Sequence, residues 1–141
     1  MAGFSDYVEG QLITHIFRTG SFTKPTTLAI ALVTSAATDS DDGSTISEVA
    51  NSNNYARQTL NPLDANWSAP SVGDGNTHNL SAITFPQASG SWGTIVGVVI
   101  LDNATYGAGN ILFHGTLTDN KTINNGDTFT FAISDLNIVL A

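Results

Sequence analysis

The chain has no cysteine. That absence excludes a disulfide framework, a zinc–thiolate site and a cysteine nucleophile. Basic residues are scarce as well: four Lys and Arg stand against twelve Asp and Glu, a formal net charge of −8. Such a surface repels phosphate, so no nucleic-acid partner is expected. Charged residues of both signs make up only 11%, against about 25% in ordinary globular chains. A coiled coil or an extended charged helix is thereby excluded, and Ser, Thr and Asn must supply the polar surface. The longest apolar stretch, Ile95–Leu101, is interrupted by Gly97 and falls far short of the roughly 20 residues that span a bilayer. No membrane partner is expected. The opening MAGFSDYVEG has no basic segment followed by an apolar one, so no secretory route is expected. The N-x-S/T matches at Asn66, Asn79, Asn103 and Asn120 are accordingly read as chance in an Asn- and Thr-rich chain.

What is present is the material of one β-rich domain. A length of 141 residues is the usual size of a single domain, about 100–150 residues. One helix is expected at the start, where Asp6 and Glu9 are spaced as a capping box and Tyr7, Val8, Leu12, Ile13, Ile16 and Phe17 recur at helical spacing before Gly20. Strands are predicted over 27–34, 55–60, 81–85, 94–102, 110–117, 128–133 and 136–140, separated by turn residues. Phe129, Phe131 and Ile133 alternate with Thr128, Thr130 and Ala132, the pattern of a strand with one buried face. Ile95–Leu101 leaves neither face polar, as in a strand covered on both sides; one side is read as core and the other as needing a partner. Asn124-Asn125-Gly126 predicts a tight hairpin between Lys121–Ile123 and the Phe129 strand. Two polar segments interrupt the pattern. Residues 35–54 are expected to form a functional arm or mobile loop, and residues 61–79 an irregular excursion anchored by Trp67.

Catalytic and metal chemistry find little support. His15, His78 and His114 are the available imidazoles, and none lies in a recognisable nucleophile–base motif. Gly90-Ser91-Trp92-Gly93 lacks the G-x-S-x-G spacing. Gly107-Ala108-Gly109 lies between two predicted strands, without the following helix or Lys of a phosphate cradle. Asp39, Asp41, Asp42 and Glu48 gather around Gly43, yet an EF-hand alignment on that glycine puts Thr38, Ser40 and Val49 at ligand positions. A solvated acidic loop is therefore expected, and neither a cofactor nor a metal. Arg57, a cation in a strand of an acidic chain, is expected to find a carboxylate, with Asp102 one candidate. Trp67 and Trp92 are read as packing residues rather than sugar platforms.

A series of short motifs runs along nearly the whole chain: Phe4-Ser5-Asp6-Tyr7, Pro25-Thr26-Thr27-Leu28, Ala31-Leu32-Val33-Thr34, Tyr55-Ala56-Arg57-Gln58, Ile83-Thr84-Phe85-Pro86 and Trp92-Gly93-Thr94. It continues with Ile100-Leu101-Asp102, Gly109-Asn110-Ile111-Leu112, Gly115-Thr116-Leu117 and Gly126-Asp127-Thr128. In order and spacing this resembles the small β-structured virion proteins of tailed bacteriophages. The resemblance implies an all-β fold, a jelly-roll-like antiparallel β-sandwich with a short N-terminal helix, made in the host cytoplasm and acting as a structural subunit without catalytic residues. The expected organisation is a helical segment over 1–24 and a sandwich over 25–141. The leading functional expectation is a capsid cement, or decoration, protein: a homotrimer on the capsid surface that binds the major capsid protein and acts by burial. The alternatives are a tail or baseplate subunit and a carbohydrate- or receptor-binding module, which an open aromatic-lined cleft would favour. The candidate interface comprises Phe4, Tyr7, Leu12, Ile16 and Arg18 from the N-terminal segment with Asp39, Asp41, Asp42, Glu48 and Arg57 from the arm and its neighbouring strand. The arm is expected to gain order from its partner, so that deleting 39–48 leaves the domain folded but weakens attachment.

Overall fold

Ala29–Val33 (β2) is buried along its whole length, which requires cover on both faces and hydrogen bonds on both edges. It lies in a five-stranded antiparallel sheet with Gly3–Phe4 (β1), Gln58–Thr59 (β3), Gly93–Leu101 (β6) and Ile111–Ile123 (β7), in the order β1-β7-β6-β2-β3. Both edge strands are only two residues long, which limits edge-to-edge pairing. Two further pairs complete the fold: Asn76–His78 (β4) with Asn137–Val139 (β9), and Ile83–Thr84 (β5) with Thr130–Phe131 (β8). Asp6–Phe17 forms the one helix among the described residues, α1. The computed structural model describes residues 3–70, 73 and 75–140. It is all-β with an N-terminal helix, as the strand pattern implies.

Period-two alternation divides the sheet. Ile30, Leu32, Val98, Ile100 and Phe113 share one face with Ile83, Phe85, Phe129, Phe131 and Leu136 from the short pairs and their flanks. Ala31, Val33, Val99, Leu101 and Ile111 form a second, smaller cluster on the opposite face. Two irregularities, between Ile95 and Gly97 and between Ile100 and Leu101, shift the β6–β7 register and explain why Ile95 joins Val98 and why Ile111 parts from Phe113. Tyr55 stacks on Phe85, and edge-on contacts link Tyr55 with Trp92, Phe85 with Phe129 and Phe129 with Phe131.

Several local expectations need correction. The helix cap is Ser5 rather than Asp6: its hydroxyl accepts from the Val8 N–H at 3.4 Å and donates to the Ile111 carbonyl of β7, so a tertiary anchor chose the cap. The Asn124–Gly126 turn is present, with Gly126 at φ 91°, but it is a corner and not a hairpin. Ile123 pairs with Gly93 of β6, whereas Phe131 pairs with Ile83 of β5. Ile133 does not share the Phe129–Phe131 face; it is 60% exposed, because β8 ends at Phe131 and the chain turns through Ser134 at φ 69°. The second face of β6 needs no foreign partner either. Ala37 and Ile46, both from the 35–54 arm, pack on it.

Candidate assembly surface

The arm, expected to be mobile, is built into the domain. Val49 N–H donates to the Leu32 carbonyl and Thr34 N–H to the Ser47 carbonyl, at 3.0 and 2.9 Å, so Val33 bridges to Glu48 along the free flank of β2. That placement turns the Glu48 carboxylate inward. Arg57 meets it in a fork, Nε to Oε1 at 2.9 Å and Nη2 to Oε2 at 2.7 Å, with the two side chains 1% and 3% exposed. Arg57 Nη1 donates to the carbonyls of Asn103 and Ala108, both at 2.8 Å. The Tyr55 hydroxyl donates to Glu48 Oε1 at 2.9 Å and accepts from Leu32 N–H at 3.0 Å. Burial, reinforced by the Glu48 charge, pushes the Tyr55 phenol well above its ordinary range. Asp102, the partner considered for Arg57, instead accepts from the backbone N–H and side-chain amide of Asn110 and closes the β6–β7 turn.

The remaining arm carboxylates are each occupied. Asp41 accepts from Thr38 N–H at 2.7 Å and from the Thr38 and Thr45 hydroxyls at 2.8 and 3.0 Å, and these donors, the Thr38 N–H above all, hold its pKa below the usual carboxylate value. Asp42 accepts from the Ser44 hydroxyl and N–H, which lower its pKa likewise. Gly43 is buried where its N–H donates to the Gly109 carbonyl at 2.8 Å, and a Cβ there would overlap the Ala108 carbonyl. Asp39 joins the arm to the N-terminal segment. Its carbonyl accepts from Asp6 N–H at 2.9 Å and its carboxylate meets the buried His114 Nε2 at 2.8 Å. Among the described residues no group of three or more acidic or imidazole side chains could hold a metal ion.

The ten expected interface residues thus separate by environment. Glu48 and Arg57 face the interior; Phe4 and Leu12 are half-buried; Tyr7, Ile16 and Arg18 are exposed on α1 or at its end; Asp39 and Asp42 are exposed on the arm and Asp41 is partly covered. Helix and arm do meet, through Asp6 and Asp39. Outside those ten, Ile13 and Phe17 lie with Ile16 at i, i+3 and i+4 and are 56%, 78% and 64% exposed. Val8 is the buried residue of α1 and Leu12 is half-buried, so the chain covers one edge of a broad apolar stripe and leaves Ile13, Ile16 and Phe17 open. The helical spacing of these residues is visible in the sequence.

Two concavities lie outside α1. An apolar groove of about 590 Å³ is lined by Phe4, Leu28, Leu63, Trp67 and Ile138, with Lys24 and Asp64 also on its walls. Lys24 Nζ donates to the Pro62 carbonyl at 3.3 Å, and the Trp67 indole N–H to the Leu60 carbonyl at 3.0 Å. Leu63 is 60% exposed, and no sequence signal marks it. A more polar cleft of about 840 Å³ lies where Leu117–Asn120 bulge opposite Val96, with Thr116, Asp119, Lys121 and Thr128 around it. The phenylalanines that line this cleft, Phe113, Phe129 and Phe131, are core residues no more than 7% exposed, so they offer no open stacking platform of the kind a sugar site needs.

Fold and surface together define a small all-β module with a closed, hydrogen-bonded interior and an open apolar helix. The chain belongs to the family described as podophage GP4 fiber I protein gp80, whose family model matches residues 3–139. It is therefore a structural protein of a tailed-phage virion. No curated protein matches it.

Proposed function

We propose that the chain is a non-catalytic, self-associating subunit of a virion appendage, a homotrimer attached at the tail rather than cement on the capsid surface. The observation that carries this reading is the α1 face of Ile13, Ile16 and Phe17, at 56–78% exposure, three neighbouring apolar side chains of the kind that mark an interaction surface. Family membership in a fibre protein supports the tail-attached location. Cement bound to the major capsid protein loses its argued device, because the arm meant to order on the capsid is already bonded to β2, β7 and α1.

The test is to add purified protein separately to undecorated capsids and to tails lacking appendages, and to measure co-sedimentation and the heat resistance of each particle. Saturable binding to tails, with capsids unchanged, is expected. Saturable binding to capsids with increased heat resistance would return the assignment to cement.

A further inference from the structure

We propose that the outer edge of β8 and β9 is a docking site for an extended, basic segment of another protein, which adds to that edge as a further strand. Each of the two strands has a partner on one side only: β8 has β5, and β9 has β4. The Phe129 carbonyl accepts from the Phe85 N–H and the Asp127 carbonyl from the Ala88 N–H. Odd-numbered residues there turn their main chain toward β5, so antiparallel alternation turns Thr128 and Thr130 away from it. At β9 the Leu140 N–H donates to the Gly75 carbonyl and the Leu136 carbonyl accepts from the Asn79 N–H, which leaves Asn137 and Val139 facing away from β4. Thr128, Thr130 and Asn137 are exposed, and all three line the polar cleft of about 840 Å³. Main-chain donors and acceptors along an open strand edge are the recognition surface for the main chain of an extended segment. The cleft also holds the half-buried Leu117 beside Val98 and Phe113, so alternate side chains of an added strand meet apolar surface while the others face solvent.

Charge selects the occupant. Asp119, Asp127 and Asp135 line the cleft against one cation, Lys121, and the ion pairs among the described residues, Arg57–Glu48 and His114–Asp39, include none of the four. The potential beside the strand edge is therefore negative and favours a segment carrying Lys or Arg. A second copy of this chain fits poorly, because it brings a net charge of −8 and four basic residues, of which Arg57 is buried in its own ion pair. The same carboxylates keep copies of the acidic chain off an edge that is otherwise open to strand pairing. No residue of α1 lines the cleft, so this contact is separate from the self-association proposed above.

The experiment titrates the full chain with a capped seven-residue peptide in which valine alternates with lysine and threonine. One analogue has glutamate in place of lysine, and another has its main-chain nitrogens methylated. Binding is read from amide chemical shifts and hydrogen exchange. The parent peptide should bind saturably, shift and protect the Thr128, Thr130 and Asn137 amides, and bind more weakly as salt is raised. Both analogues should bind at least about ten-fold more weakly, the first by reversed charge and the second by lost main-chain hydrogen bonds. Asp119→Lys, at an exposed position, should weaken the parent peptide to a similar degree; its melting curve shows whether it folds, and the two analogues test the wild-type chain independently of it. Phe17→Asp should bind the peptide as the wild type does, whether or not it still self-associates. No saturable binding of the parent peptide, protection that maps away from those three amides, or undiminished binding of either analogue overturns the proposal.

Discussion

Removing either member of the Glu48–Arg57 pair strands the other in the interior, and breaking a buried ion pair in this way costs about 3–5 kcal/mol. Arg57→Met is expected to lose that much, because Glu48 keeps only Tyr55 as a donor and the Asn103 and Ala108 carbonyls lose theirs. Combining it with Glu48→Leu should cost clearly less than the two single changes added together, since neither charge is then left alone; denaturant melts of the full cycle check this. A second contrast concerns the last predicted alternation. Phe131 is 7% exposed and packs edge-on against Phe129, so Phe131→Ala should cost about 3–5 kcal/mol. Ile133→Ala, at a 60% exposed position, should stay within about 0.5 kcal/mol. Equal losses at both positions would mean that the chain does not turn out of the core after β8.

At the scale of elements the arm carries the sharpest consequence. Deleting 39–48 removes Ile46 from the second cluster, Glu48 from Arg57 and Asp39 from His114 together. The deletion is therefore expected to abolish cooperative folding, seen as loss of a sharp thermal transition and of near-ultraviolet dichroism, instead of yielding a folded domain with weakened attachment. The arm should also be sensitive to acid. Asp41 has a folded pKa below its ordinary value because the Thr38 N–H and the two threonine hydroxyls favour the carboxylate. Its contribution is therefore fully present above the unfolded carboxylate pKa of about 4 and lost as pH falls through the lower folded value. Asp41→Asn should lower the melting temperature at neutral pH, with the difference from wild type shrinking as pH drops below about 4.

For the whole molecule, self-association makes stability depend on concentration. If the trimer binds only folded chains, the melting temperature should rise as protein concentration increases, by mass action. Calorimetry across a hundred-fold range checks this, and a constant midpoint would mean that one copy is stable with its helix face uncovered. The same measurement on Phe17→Asp should show a flat profile, because the variant removes the contact while α1 stays capped by Ser5.

Local regularities were legible in the amino-acid order. The helix, the seven expected strand positions, the two-sided burial of β6 and the core placement of Phe129 and Phe131 follow from spacing alone, because helix and strand expose their side chains with fixed periods. Pairing across the chain was not. Arg57 meets Glu48 nine residues away and carbonyls 46 and 51 residues away, and composition alone does not choose among the available carboxylates. The Asn124–Gly126 turn specifies a sharp reversal but not the strand that receives it, since β6 claims Ile123 while β5 claims Phe131. Ser5 became the helix cap through a carbonyl 106 residues away, and the polar arm became structure because the exposed flank of β2 and the second face of the sheet had unsatisfied backbone and apolar surface to cover. Periodicity states what a residue's own element demands; which surface meets that demand is decided only when the elements pack.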